Sequence, residues 1–331
     1  MTKKIIFLAL CSLLLAPYCA ADAQQPGKIH RIGYLDGGTA SGMATGLLNA
    51  FRHELGKLGW VEGKNIAIEY RFAENKGRER LPELALELAR QKVDLIVVNS
   101  VASAAAAKSA TTTIPIVMAA GSDPVAAGLI TSLAHPGGNV TGLSGLASEL
   151  NTKRLEVLKD TVRKLDRVGL LRPPGVSMGR DLQLKELRAA APALKLKLEE
   201  IDTQPDRKGL ESAFQTAKQK QLGAIIMMAA RRFEDDRKRI VELAAKYKLP
   251  AIYPQKEFVD EGGLMSYGTD LADLYRRAAH YVEKILKGAK PADLPVQQAT
   301  KFEFVINSKA AKQIGLTIPN RVLERANRVI K

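Results

Sequence analysis

Residues 114–144 read IPIVMAAGSDPVAAGLITSLAHPGGNVTGLS. The run from Ile114 to Ala120 is short, apolar and partly β-branched, the pattern of a buried strand. It breaks at Gly121-Ser122-Asp123-Pro124. Proline suits the first turn of a helix, and Ser122 or Asp123 before it suits the N-cap, so an apolar helix is expected to follow. His135-Pro136-Gly137-Gly138-Asn139 turns the chain, and residues 140–143 begin a second strand. Strand, polar break, helix and strand make a βαβ unit. Open parallel sheets bind ligands outside the carboxyl ends of their strands. Gly121, Ser122 and Asp123 therefore stand where a ligand would be held.

The same rhythm extends in both directions. Upstream, strands are expected over residues 28–35, 65–72 and 94–98. The helices between them carry Leu47, Leu48, Phe51 and Leu55 on one face, then Leu81, Leu84, Ala85, Leu88 and Ala89 on another. Those spacings put the apolar side chains on one stripe of a helix. An alanine-rich helix runs over residues 101–110. Downstream, strands at 167–171, 195–201, 224–228 and 251–253 alternate with helices at 150–165, 180–194, 208–221 and 232–247. Two series of β-α repeats imply an α/β protein with parallel sheets covered by helices on both faces. The tail breaks the rhythm: a strand at 263–268, a helix begun by Asp270, a polar loop at 287–300, a strand at 301–306 and closing helices at 309–313 and 320–330.

The chain has 331 residues, a formal net charge of +15 and two cysteines. That length exceeds one ordinary core, so two lobes are expected. Lys3, Lys4 and the apolar run of residues 5–15 resemble an export signal, with small residues at Ala21-Asp22-Ala23 and cleavage expected near Ala23. The run is shorter than the ~20 residues that span a bilayer. Both cysteines, Cys11 and Cys19, fall in this leader. The mature chain would then lack disulfides, thiolate nucleophiles and cysteine-ligated metals. Tyr18 places a bulky ring beside Cys19, which disfavours lipidation there. The basic residues are scattered and interleaved with acids, and aromatics are few, so nucleic acid is not the expected partner.

Catalytic signatures are missing. There is no phosphate-binding glycine loop, no paired-histidine metal motif and no nucleophile elbow. His30, His53, His135 and His280 are far apart in sequence; His53 and His280 read as surface residues and His135 as a turn residue. What the sequence offers instead is polar residues after strands, at 36–41, 99–103, 121–123, 172–173, 231–232 and 253–257. Ser100 and Ser103 open the alanine-rich helix, whose free N–H groups suit an anion. Asp123 suits a ligand amine. Ser100 and Asp123 read equally as ordinary helix caps, and Tyr253 and Tyr267 equally as core residues. No catalytic residue, metal or cofactor is expected.

Four longer stretches, GWVEGKNIAIEYRFAE (59–74), the quoted 114–144, AAKYKLPAIYPQKEFVDEGGLMSYGTDLADLYRRAA (244–279) and LKGAKPADLPVQQATKFEFVINSKAAKQIGLTIP (286–319), resemble bacterial ABC-transporter substrate-binding proteins. The group is the one related to tryptophan and aromatic amino-acid binding proteins. The resemblance covers nearly all of the mature chain. It implies a type I periplasmic binding-protein fold: two Rossmann-like lobes joined by three hinge strands. The lobes would be residues 28–145 plus 269–300 and residues 146–268 plus 301–331, after a signal peptide at 1–23. It also implies ligand contacts at Thr39, Ser41, Asn99, Ser100, Ser103, Gly121, Ser122 and Asp123 from the first lobe. Arg172, Arg231, Tyr253 and Glu257 would come from the second, with Tyr267 near the hinge. Arg172 stands where relatives often carry a small polar residue, and Ala230-Arg231-Arg232 where they often carry a proline-containing turn. Arginines at both places suit an anionic solute.

The expected function is a periplasmic, monomeric solute-binding protein. It would capture an amino acid or an aromatic or carboxylate compound by hinge closure and present it to an ABC permease in the inner membrane. A periplasmic sensor signalling through a membrane partner uses the same fold, and a secreted hydrolase is the third reading.

Overall fold

The computed structural model describes residues 28–40, 46–74, 76–146, 149–175, 178–204 and 206–331. The expected leader lies outside them. Among the described residues no helix is long and apolar enough to cross a membrane.

Two sheets organise the chain. The first is built from β1 (His30–Asp36), β2 (Ile66–Phe72), β3 (Leu95–Val98), β4 (Ile116–Gly121), β5 (Val140–Ser144) and β11 (Gln297–Gln298), in the order β11-β5-β4-β3-β1-β2. Every neighbouring pair is parallel. The second sheet holds β6 (Arg167–Arg172), β7 (Lys197–Asp202), β8 (Ala224–Met227), β9 (Ala251–Tyr253), β10 (Met265–Thr269), β12 (Phe302–Asn307) and β13 (Arg328–Ile330). Its order is β13-β12-β10-β9-β8-β6-β7, parallel except where β10 meets β12.

Helices cover both faces of each sheet because their apolar stripes have nowhere else to go. On the first sheet, α1 (Leu47–Lys57) packs Phe51 and Leu55 on one face, while α2 (Gly77–Arg90) and α3 (Val101–Ala110) cover the other. The second sheet is covered by α4 (Glu149–Thr161), α5 (Met178–Ala193), α6 (Arg207–Gln219), α7 (Arg231–Glu234), α8 (Arg237–Lys246) and α9 (Glu257–Asp260). The alternation expected at 232–247 is thus two helices, interrupted at Asp235-Asp236. After β10, α10 (Leu271–Leu286) returns to the first sheet and buries Leu274, Tyr275, Ala278, Val282 and Ile285 against α1, β4 and β5. A fully buried side chain of this size contributes about 1.5–3 kcal/mol. The chain ends in α11 (Ser308–Gln313), α12 (Asn320–Leu323) and β13.

Three expectations fail locally. No helix follows Pro124. Asp123 does cap, its Oδ1 accepting the N–H groups of Val125 and Ala126 at 3.1 and 3.0 Å, but only one turn forms. Gly128 then adopts φ +67, and Lys108 Nζ holds the Gly128 and Leu129 carbonyls. The opposite face of β4 and β5 is covered by α10 instead. Within the loop expected at 287–300, Gln297 and Gln298 pair with β5. Finally, the helix expected over 320–330 stops at Leu323. Asn327 exchanges two hydrogen bonds with Phe304, each 2.8 Å, and fixes the last residues as a strand beside β12.

The chain passes between the sheets three times, and the crossings are bonded together. Thr269 Oγ1 donates to the Gly145 carbonyl at 2.6 Å, Asp270 N–H to the Lys301 carbonyl at 3.0 Å, and Ala299 N–H to the Ser144 carbonyl at 2.8 Å. Two glycines permit this region. Gly142 has φ +124, and a Cβ there would sit 2.2 Å from the Met118 carbonyl oxygen. A Cβ at Gly268 would sit 1.9 Å from the Pro254 carbonyl oxygen. Both are close backbone approaches that only glycine allows.

Candidate functional site

The carboxyl ends of strands from both sheets converge on one cavity of about 370 Å³. That volume lies within the range of small-molecule sites. Asn99, Ser100 and Val101 follow β3, and Gly121 and Ser122 end and follow β4. From the second sheet, Ala229 and Ala230 follow β8, and Pro254, Gln255, Lys256 and Glu257 follow β9. Hinge residues Gly145 and Thr269 line it, with Leu271, Ala272 and Tyr275 of α10. Arg154, Gln183, Glu234 and Arg237 complete its polar lining.

The first-sheet wall is short and uncharged. Ser100 takes extended φ/ψ, and its Oγ accepts the Ser103 N–H at 3.2 Å, the N-cap bond of α3. Ser103 is wholly buried beneath it, 2.9 Å from Ser100 Oγ and 3.3 Å from Asn99 Oδ1. Ser103 therefore fixes Asn99 and Ser100 rather than lining the cavity. Ser144 Oγ donates to the Ser122 carbonyl at 2.5 Å and sets the β4 end against the hinge.

The second-sheet wall is charged. Lys256 pairs with Glu303 at 2.7 Å, and Gln255 Nε2 donates to Glu234 at 2.9 Å. Glu257 and Arg237 have no side-chain partner among the described residues. Arg154, on α4, is only 2% exposed. Its Nε donates to the Tyr267 carbonyl at 2.7 Å, and its Nη1 to Asn151 Oδ1. Burial pushes its pKa down to about 9, which leaves it charged at neutral pH.

Of the residues named from sequence, Asn99, Ser100, Gly121, Ser122 and Glu257 line the cavity. Thr39 does not line it; its Oγ1 donates to Asp235 Oδ2 at 3.3 Å, linking the loop after β1 to the turn before α8. Asp123 faces its own turn. Arg172 does not reach the cavity, being held by Glu200 at 3.1 Å and Asp202 at 2.8 Å on the neighbouring strand. Tyr253 is a core residue stacked on Phe258 with centroids 4.9 Å apart. Tyr267 packs edge-on to Phe304 and offers its backbone carbonyl, not its ring. Arg231 opens α7, and its side chain lies outside the described residues, as does Ser41.

Arg154, Gln183, Glu234, Arg237 and Tyr275 escaped the sequence reading. A signal for Arg154 existed: it lies between Leu150 and Leu158 at i, i+4, i+8, a charge on the apolar stripe of its helix. Among the described residues no group of three or more His, Cys, Asp or Glu side chains could hold a metal ion.

Two parallel-dominated lobes, three bonded crossings and a cavity at the converging strand ends define a solute-binding protein of the type I periplasmic fold. The chain belongs to the ABC transporter substrate binding protein family, whose pattern matches residues 40–330. Members of this family bind substrates and are not enzymes. A tyrosine-binding protein of Clostridioides difficile is 28% identical over 260 residues, 78% of this chain and 73% of that protein. A Streptococcus pneumoniae ABC domain in complex with L-Trp superposes with a TM-score of 0.82 at 27% identity, covering 92% of this chain and 100% of that one. The ligand-free, open structure of an adhesive substrate-binding protein from Clostridium difficile gives 0.66 at 26% identity, covering 92% and 99%.

Proposed function

We propose that the protein captures a free amino acid in the interlobe cavity by hinge closure and delivers it, in the periplasm, to an ABC permease. The observation that carries this reading is the pattern of unpaired charge. Glu257 offers a carboxylate, and Arg154 and Arg237 offer guanidinium groups, to the same small cavity, which suits a zwitterion. The apolar lining, Leu47, Val101, Leu150 and Leu271 with the Tyr275 ring, suits an apolar or aromatic side chain. The aromatic amino acids named for two relatives are therefore the first candidates.

Closure is supported by two findings. At nearly equal identity and coverage, the similarity is greater to the tryptophan complex than to the open, ligand-free relative. The Thr39–Asp235 hydrogen bond also joins the two sides of the cleft. Residues 28–145 plus 269–300 and residues 146–268 plus 301–331 would then move as two bodies about the three crossings. The solute drives the change by binding the closed arrangement more tightly than the open one.

A thermal-shift screen against the common amino acids tests the reading. A solute at 100 times its dissociation constant stabilises the protein by about 2.7 kcal/mol. At least one aromatic amino acid is expected to raise the melting temperature. A panel in which no amino acid moves it overturns the proposal.

A further inference from the structure

The cavity contains a cation that no carboxylate among the described residues neutralises. Arg154 is almost fully buried, yet both of its bonded partners are neutral oxygens, the Tyr267 carbonyl and the Asn151 side chain. No carboxylate pairs with it among the described residues. Other basic side chains in and near the cleft differ. Lys256 is paired with Glu303, Arg172 with Glu200 and Asp202, and Arg237 is only half-buried. A buried charge without a counter-ion is strongly unfavourable, and folded proteins keep such groups paired. Arg154 is thus a site waiting for an anion.

The guanidinium is also held in orientation. Asn151 accepts from Nη1 and turns its own amide toward Gln183 Oε1 at 3.4 Å, while Tyr267, on hinge strand β10, accepts from Nε. Nη2 has no acceptor among the described residues and belongs to a side chain that lines the cavity. A planar guanidinium held at Nε and Nη1 keeps Nη2 and the second N–H of Nη1 for a carboxylate. Because the fork is immobilised before the solute arrives, little rotamer entropy is lost on binding.

We propose that Arg154 is the carboxylate anchor of the solute site, binding the α-carboxylate of the captured amino acid and tying it through the Tyr267 carbonyl to the hinge. This rests on the amino-acid reading above. It assigns the anion-binding role to α4 of the second lobe instead of to the α3 N-terminus, Arg172 or the more exposed Arg237.

The test is a titration of the full chain, wild type, Arg154→Met and Arg154→Lys, with L-tryptophan, L-tyrosine, L-tryptophanamide and inorganic phosphate. Wild type is expected to prefer tryptophan over its amide by about 100-fold. Arg154→Met should weaken tryptophan binding by about 100-fold while changing amide binding by less than about threefold, so that the preference collapses. Arg154→Lys, which keeps the charge but not the fork, should keep part of the preference and serves where the methionine variant does not fold. Equal losses for acid and amide would make Arg154 a structural residue and overturn the inference while leaving the amino-acid reading intact. Inorganic phosphate binding more tightly than tryptophan would also overturn it. A wild type that binds no amino acid removes the functional reading and this inference with it.

Discussion

The two walls of the cleft are built on the same β-α plan and present different chemistry. The first-sheet wall consists of Asn99, Ser100, Gly121 and Ser122, side chains with no charge, placed directly after strands. The second-sheet wall carries Arg154, Glu234, Arg237, Lys256 and Glu257. On the first side, β3 runs straight into α3 and the cap itself is the surface. On the second, the residues after β8 and β9 start the short helices α7 and α9, which project longer side chains. The first wall therefore supplies shape and neutral hydrogen bonds, while the second reads the solute's charge.

Removing a charge from the second wall should accordingly cost most. Glu257→Gln is expected to weaken L-tryptophan by about 30-fold in calorimetry, the scale of an interface charge pair. Binding of indole-3-propionate, which lacks the ammonium group, should be unaffected. An equal loss for both solutes would remove Glu257 from ammonium recognition. On the first wall, Ser100→Ala should weaken binding only about fivefold and lower stability by about 1 kcal/mol, measured by denaturant titration, because it also deletes an N-cap. A larger loss of affinity than for Glu257→Gln would invert the contrast between the walls.

Behind the walls, affinity should be indifferent. Asp123→Ala is expected to cost about 1 kcal/mol of stability through its lost turn bonds and to change affinity by less than about twofold. A clear loss of binding would return Asp123 to the site.

The smallest effect lies at the other end of β3. Asp94 is partly buried, which pushes its carboxyl up, but the bonds from Lys28 Nζ and the Arg31 N–H, both 2.7 Å, outweigh this and hold it below the usual range. A lowered folded pKa means that the stabilisation is present above the ordinary aspartate value of about 3.9 and is lost as the pH falls through the folded pKa. Asp94→Asn should therefore flatten the acid limb of the stability profile and leave solute affinity at neutral pH unchanged. An acid limb identical to wild type would contradict this.

The sheets were readable from residues alone because period-two and period-3.6 patterns report on faces of regular elements. Strands β1 to β10 lie within a few residues of their expected places. The misreadings arose where tertiary contacts overrode a local signal. Pro124 and Asp123 carry a sound helix start, but Gly128 turns to φ +67 and Lys108 takes the Gly128 and Leu129 carbonyls, so only one turn forms. Asn327 likewise pairs with Phe304 and turns a helical pattern into β13. For the site, position after a strand identified Asn99, Ser100, Gly121, Ser122 and Glu257. It also nominated Arg172 and Asp123, whose partners are visible only once the chain is folded. Arg154 was hidden for a related reason. It sits in the first helix after a hinge crossing, and its significance is that no described carboxylate pairs with it, which no sequence pattern states.

Amide hydrogen exchange with and without L-tryptophan tests the central claim most directly, because it places the solute on the molecule. Slowed exchange is expected on both walls together, at residues 100–103 and 121–122 and at 257–260, and at the Thr269 crossing. A second groove, formed by α1 and the start of β2 and lined by His53, Trp60 and Ile66, should be unaffected. Protection confined to one wall, or appearing at Trp60 while the cleft stays unchanged, would contradict capture between the lobes.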